Sequence, residues 1–382
     1  MDFPFEQGPI RPPSEAKSLL IRATRNCPWN KCAFCNSYRG KKFELRSLDE
    51  IFADIHKIKE IITHIKELSW KHGEGGRVTD KVIRLIFSQE SSYHDSYRSV
   101  AAWLYFGGES VFLQDANSLI MRTDDLVPVL NEIRKAFPSV TRITSYCRSK
   151  TAARKSVEEL KRLRDAGLSR IHIGMESGYD PLLAFIRKGV TAAEHIKGGR
   201  NVVEAGISLS EYVIPGLGGA RWTQEHARET ARVINEINPD FIRLRTIHAV
   251  PGTDLHEKML KGEFVPLTDN EIVTEIRDFI ENLEGIESTV VSDHILNLLE
   301  EIQGKLPDAK EQMLRVIDRY LSLSPQNQLI FRLGRRKGCY RSLDDLSDSR
   351  LYNSLKKTVE QYEVTAPGQL DKDLFLMMHD YI

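Results

Sequence analysis

Cysteine is scarce in this chain, with five in 382 residues. An odd number of thiols in so long a chain argues against a disulfide framework, which is the device of short secreted chains with even counts. No stretch reaches the roughly 18 uncharged apolar residues that a membrane span requires. The opening residues MDFPFEQGPIRPPSEAK lack both the basic and the apolar region of a secretory signal. Net charge is missing too: 54 Lys+Arg stand against 54 Asp+Glu, so no global field draws the chain to nucleic acid or to an anionic membrane. The 11 histidines form neither HxxxH nor HExxH zinc patterns, and no repeat of 20 to 50 residues stands out. These absences predict a soluble cytoplasmic protein of a reducing compartment, with no membrane partner and no expected nucleic-acid partner. The basic run FRLGRRKGCYRS (331–342), with Phe331 and Tyr340, is the best local case for a phosphate contact, and its ordinary reading is a solvated helix end.

With 41% hydrophobic residues the chain can bury a substantial core. Short apolar or β-branched runs at 18–24, 110–116, 140–147, 169–175, 208–214 and 240–250 have strand length and composition. Amphipathic segments at 48–65, 123–137, 155–167, 180–206 and 224–237 have helical spacing between them, and 67–103 reads as an inserted helical stretch. Thr123 with Asp124 and Asp125 is expected to open one helix, and Gly167 and Gly206 to close two others. Six βα units imply an α/β protein with a parallel sheet, doubly wound or barrel-like, whose ligands sit at the C-terminal strand ends. From about 265 the pattern is helical only, in 267–285, 292–306 and 309–323, followed by a polar tail. The expected division is a lead (1–17), a core (18–262) and a helical C-terminal domain (263–382).

Scarcity makes concentration informative. Three of the cysteines, Cys27, Cys32 and Cys35, fall in TRNCPWNKCAFC (24–35), directly after the first expected strand. Three thiolates from one loop suit a metal site, and a cubane [4Fe–4S] cluster held by three would leave its fourth iron open to another ligand. Zinc would want a fourth Cys or His at motif spacing, and only His56, on a helical pattern, follows within fifty residues. Three unrelated buried thiols are the bland alternative.

The spacing C-x4-C-x2-C, with Phe34 before the last cysteine, resembles the radical S-adenosylmethionine (SAM) enzymes. Their usual pattern is C-x3-C-x2-C, so one residue is extra between Cys27 and Cys32. The resemblance covers 18–260. It implies a partial (β/α)6 barrel with a helical C-terminal extension, one [4Fe–4S] cluster on Cys27, Cys32 and Cys35, and SAM as cofactor. Asp115 and Asn117 in FLQDANSL would lie near the methionine amino group. GMESG (174–178) is similar to the GxESG stretch of methylthiotransferase-like and coproporphyrinogen-oxidase-like members, which carries cofactor contacts onto Glu176 and Ser177. Twelve residues further on, where those members have a carboxylate-gripping arginine, stand Arg187 and Lys188. Gly216 and Gly218 in VIPGLGG resemble the turn that lets backbone approach the adenosine, and HAVPGTDLHE resembles a PGTxL segment after the barrel.

By that resemblance, the reduced cluster cleaves SAM to a 5′-deoxyadenosyl radical that takes hydrogen from a small or medium-sized substrate, with a flavodoxin or ferredoxin as electron donor. Cys147 or Tyr146, ending the third strand, would be placed to quench a product radical, although a buried small hydrophobe is the commoner fate of such a cysteine. His172 and His248 are candidates to line the barrel; Cys339 carries no signal. A tRNA methylthiotransferase and a cobalamin-dependent methyltransferase are disfavoured, because neither a three-cysteine N-terminal domain nor a cobalamin domain precedes the core. The rival class is a zinc- or iron–sulfur-binding sensor, or a nucleic-acid-binding protein, without radical turnover.

Overall fold

The computed structural model describes residues 4–9, 11–88 and 93–378. Six strands fall in the six expected runs: β1 (Leu19–Arg22), β2 (Ser110–Gln114), β3 (Arg142–Cys147), β4 (Leu168–Glu176), β5 (Ser208–Val213) and β6 (Phe241–Leu244). Two more, β7 (Thr289–Val291) and β8 (Gly304–Lys305), extend the sheet where only helix was expected. The eight strands lie in chain order without a reversal. That order belongs to a barrel wall, since a doubly wound sheet reverses at a switch point. Pairings are parallel from β1 to β2, β2 to β3 and β3 to β4, and again from β5 to β6 and β6 to β7, and β7 with β8 is antiparallel. Burial follows from this: residues Leu209–Val213 of β5 are all buried, as in a parallel sheet covered on both faces.

The chain divides into two compact units, one of residues 1–30, 37–173 and 197–209, the other of 31–36, 174–196 and 210–382. The first contains the helical insertion, as helices Leu48–Lys71, Asp80–Ser88 and Asp95–Tyr105. Its long helix opens with a capping box, in which Ser47 Oγ accepts from Glu50 N (3.2 Å) and Glu50 Oε2 from Ser47 N (2.8 Å). Ile51, Ile55, Ile58, Ile61 and Ile65 form its buried stripe. The helix Thr123–Ala136 differs in detail from expectation. Its N-cap is Arg122 without a side-chain bond, because Thr123 Oγ1 donates to Glu159 (2.9 Å) and accepts from Lys155 Nζ (3.0 Å). Gly167 (φ 120°) and Gly206 (φ 73°) close helices as expected.

In the second unit, residues 292–306 are not the helix their spacing suggested. Asn297 is buried and fully used: Nδ2 donates to Leu244 O (2.8 Å) and Ser292 Oγ (3.1 Å), while Oδ1 accepts from Thr246 N and Oγ1, both at 2.9 Å. Those bonds hold the segment to the end of β6 as a loop, and its leucines are buried from there. The polar tail is helical, in Pro325–Arg336, Ser349–Thr365 and Gln369–Met377.

The basic run 331–342 is divided: Lys337 and Arg341 are exposed at and beyond the helix end, while Arg335 and Arg336 turn inward. Arg335 Nε donates to Leu298 O and Arg335 Nη1 to Tyr340 O, and its Nη2 reaches Glu300 at 2.8 Å. Arg336 donates to Leu296 O and Asp269, and Phe331 and Tyr340 are buried. These guanidiniums serve as internal clamps on loop carbonyls that would otherwise be orphaned.

Candidate functional site

The cysteine loop opens from the end of β1. In the first unit, Asn26 (φ 68°) and Asn30 (φ 47°) bracket Cys27 in the left-handed region, a conformation asparagine tolerates better than most residues. Asn30 N–H donates to Cys27 Sγ at 3.4 Å. What anchors this part of the loop is Asp115, just past β2 and wholly buried. Its Oδ2 accepts from Arg22 Nε (2.9 Å), Arg22 Nη2 (2.6 Å) and Asn26 N (2.8 Å), and its Oδ1 from Tyr38 OH (2.9 Å). Burial, and then the charge of Asp115, push the Tyr38 phenol well above its ordinary pKa. Glu6 completes the frame by accepting from Arg22 (2.8 Å) and Arg25 (2.7 Å), and the hydrogen bond from Arg25 lowers its pKa. Asn117 is likewise spent internally, on Thr151 Oγ1 (2.9 Å) and Arg148 N (3.1 Å). Asp115 and Asn117, expected as cofactor contacts, thus stand as builders of strand-end loops.

In the second unit, Cys35 N donates to Cys32 O (3.2 Å), and Ala33 is tied to Ile186 O (2.8 Å) and by its own carbonyl to Leu255 N (2.8 Å). Ala33 lies in an apolar cluster with Leu182, Ile186 and Leu255, and Phe34 packs against it. Cys27 and Cys32 are half-buried and Cys35 exposed, and none of the five cysteines forms a disulfide. Three accessible thiols with an N–H already given to one sulfur suit an iron–sulfur cluster, whose potential such bonds tune. Among the described residues no three Cys, His, Asp or Glu side chains are gathered to hold a single metal ion; a cubane asks something different, a separate iron for each thiolate.

Glu176 ends β4 with φ 67°, a strained backbone for a residue with a side chain. Its carboxylate takes Lys188 Nζ at 2.7 Å, with the side chains only 10% and 12% exposed. Gly174 makes the room, because a Cβ there would stand 2.2 Å from Glu176 Oε1. Lys188 also lies 6.0 Å from the Phe34 ring centre. Arg187 turns away to pair with Asp254 and is half exposed. Of the two candidate cations, then, Lys188 meets Glu176 and Arg187 does not.

Ser177, Gly216 and Gly218 are linked by residues that sequence reading missed. His226 Nε2 donates to the carbonyl of Ile214 (2.9 Å), and Nδ1 is hydrogen-bonded to the Ser177 hydroxyl (2.9 Å). Glu275 accepts from Gly216 N (2.6 Å) and Thr223 Oγ1 (2.7 Å), and burial raises its pKa while His226 opposes. Gly216 has φ 82°, and a Cβ at Gly218 would lie 2.8 Å from Trp222 O. Glu275 reads from sequence as the polar side of an amphipathic helix, and nothing in its spacing marks it.

Glu211 was missed as well. It sits in the middle of β5, fully buried, and neither carboxyl oxygen finds a hydrogen-bond partner among the described residues. Burial, reinforced by the charge of Glu176, raises its pKa well above 4.5, with Lys188 opposing. The available signal was a lone acid in the run SLSEYVI, expected to be covered on both faces. Cys147 is buried with its thiol toward Arg148 O (3.3 Å), Tyr146 packs on Phe112 and His172, and His248 lies against Phe375.

No family model matches the chain. It is 22% identical over 289 residues to the tRNA uridine(34) acetyltransferase of Methanocaldococcus infernus, covering 70% of this chain and 50% of that protein. It is 21% identical over 292 residues to the same-named protein of Methanocaldococcus jannaschii, covering 70% and 49%. The chain thus spans about half the length of these curated relatives. Solved structures similar to it include the archaeal Methanocaldococcus infernus Elp3 (TM-score 0.40, 15% identity, 55% of this chain and 54% of that one). Methylornithine synthase (0.42, 14%, 73% and 66%) is another. A third is the radical S-adenosylmethionine methyltransferase TsrM of Kitasatospora setae (0.43, 11%, 89% and 61%). No helix of the described residues is long and apolar enough to cross a membrane.

Proposed function

We propose that this chain is a radical SAM enzyme. The observation that carries the reading is the loop of Cys27, Cys32 and Cys35 opening from the C-terminal end of the first strand of a parallel sheet in chain order. In this reading the three thiolates hold one [4Fe–4S] cluster, which with bound SAM supplies a 5′-deoxyadenosyl radical for hydrogen abstraction. The chain's own part is orientation and shelter. Asp115 fixes the start of the loop through Asn26, and the apolar cluster around Ala33 seats its end. Lys188 offers a charge to a carboxylate, and His226 and Glu275 brace the turns carrying Ser177 and Gly216. A flavodoxin or ferredoxin is the proposed reductant.

The substrate is proposed by class only. The name of the two curated relatives adds a tRNA uridine to the small molecules to be tried. Arg335 and Arg336 are used internally, which leaves Lys337 and Arg341 as the exposed charges of 331–342. The reading is tested by purifying the protein without oxygen, reconstituting iron and sulfide, reducing it, and recording its electron paramagnetic resonance with and without SAM. A signal altered by SAM, with 5′-deoxyadenosine released and both lost in Cys32→Ala, is expected. Zinc in the loop, or a cluster indifferent to SAM, defeats the reading.

A further inference from the structure

Glu176 and Glu211 are two buried acids, and the charge of one base, Lys188, acts on both. Lys188, 2.7 Å from Glu176 Oε1, neutralises the first, while the second accepts no hydrogen bond from the described residues. The register neighbour of Glu211 on β6 is Ile242, which is apolar. The nearest guanidinium on that strand, Arg243, is committed to Ser210 Oγ (3.2 Å) and Asp293 (3.2 Å). The end of β5 is bound to the end of β4 through Ile214 N to Glu176 O (3.1 Å), which keeps Glu211 in the electrostatic reach of Glu176 and Lys188. A carboxyl with both oxygens buried and unbonded is costly, and evolution retains such a group where something else completes it.

We propose that Glu211 is a binding residue for the positively charged part of a ligand, and that it gives up its proton to solvent when that ligand arrives. The inference rests on the SAM reading above and deepens it: the cation is the sulfonium of SAM. With the site empty, Glu176 and Lys188 cancel and Glu211 is a neutral acid, so the trio carries no net charge. A sulfonium brings the missing positive charge, Glu211 ionises against it, and the proton leaves to bulk water. A neutral ligand of the same shape has no such effect, because Glu211 can meet a hydroxyl or thioether without losing its proton. The trio would therefore distinguish SAM from S-adenosylhomocysteine, which differs in lacking the methyl group and with it the charge.

The test is anaerobic titration calorimetry of the reconstituted full chain, unreduced, in buffers of different ionisation enthalpy. Both ligands would give up the α-ammonium proton where their amino group takes the open iron, so the readout is a difference: SAM is expected to release close to one proton per site more than S-adenosylhomocysteine. Glu211→Gln, which keeps the shape of the neutral acid, should lose that excess and bind SAM about tenfold more weakly or worse. Infrared difference spectra should show a protonated-carboxyl band that vanishes with SAM and is absent from Glu211→Gln. If SAM releases no more protons than S-adenosylhomocysteine, or the excess survives in Glu211→Gln, the inference is wrong and the radical SAM reading stands. If the loaded wild-type protein does not bind SAM at all, both fall.

Discussion

Asp115 and Glu211 are both buried acids of the parallel sheet, one in each unit, and their surroundings are opposite. Asp115 accepts four hydrogen bonds from Arg22, Asn26 and Tyr38, whereas Glu211 accepts none from the described residues. A carboxylate saturated by its own chain builds structure and has little left to offer a ligand. One left unsatisfied adds nothing to the fold and has everything left to offer. Burial alone therefore says little about the role of an acid; the count of its partners says more.

The contrast is broken most forcibly at Asp115. Asp115→Ala leaves Arg22 with Glu6 as its remaining carboxylate and strands the Tyr38 hydroxyl, and should cost about 3–5 kcal/mol, read as a fall in the urea midpoint. A loss below about 1 kcal/mol would mean that the four bonds are not what holds the loop. Glu211→Gln should behave in the opposite sense. The folded pKa of Glu211 is raised, so its contribution is fully present below pH 4.5 and is lost as pH climbs through the folded value. The variant should match wild type in acid and become the more stable of the two towards mildly alkaline pH, in denaturation curves taken without ligand. If the two stay parallel across that range, Glu211 is not a neutral acid in the fold.

A smaller effect separates two substitutions at Glu176. With φ 67°, alanine keeps the backbone strain and glycine relieves it, so Glu176→Gly should exceed Glu176→Ala in stability by about 1 kcal/mol. Smallest of all is Arg187→Ala. Its pair with Asp254 is half exposed, and the loss should lie within about 1 kcal/mol, with SAM affinity unchanged. A clear drop in affinity would return Arg187 to the site from which its orientation removes it.

How much of this was legible beforehand depends on whether the cause was local. The six strands and the helices between them were readable because apolar runs and glycine stops act within a few residues, and the three-thiol loop because its spacing is a local pattern. The segment 292–306 misled because its leucines have helical spacing, while the bonds that decide its form run from Asn297 to Thr246 and Leu244. Glu275 and His226 were silent for the same reason: their partners, Gly216 and Ser177, are 59 and 49 residues away. Arg335 and Arg336 looked like surface charge because composition cannot tell a guanidinium facing water from one facing carbonyls. Glu211 was visible as an oddity within its strand, but its isolation depends on how Lys188 is shared.

The lead segment carries a consequence of a different kind. Gly8 donates its N–H to Gln114 Oε1 (2.8 Å), and a Cβ on it would stand 2.1 Å from Asp115 Oδ1. Its backbone lies outside the left-handed region, so the requirement is for space alone. In a saturation scan, position 8 should therefore tolerate no other residue, on grounds of packing alone. A map of mutational tolerance would score this glycine like an active-site residue, and anyone reading function from such a map would be drawn to a place whose whole duty is to stay out of a carboxylate's way.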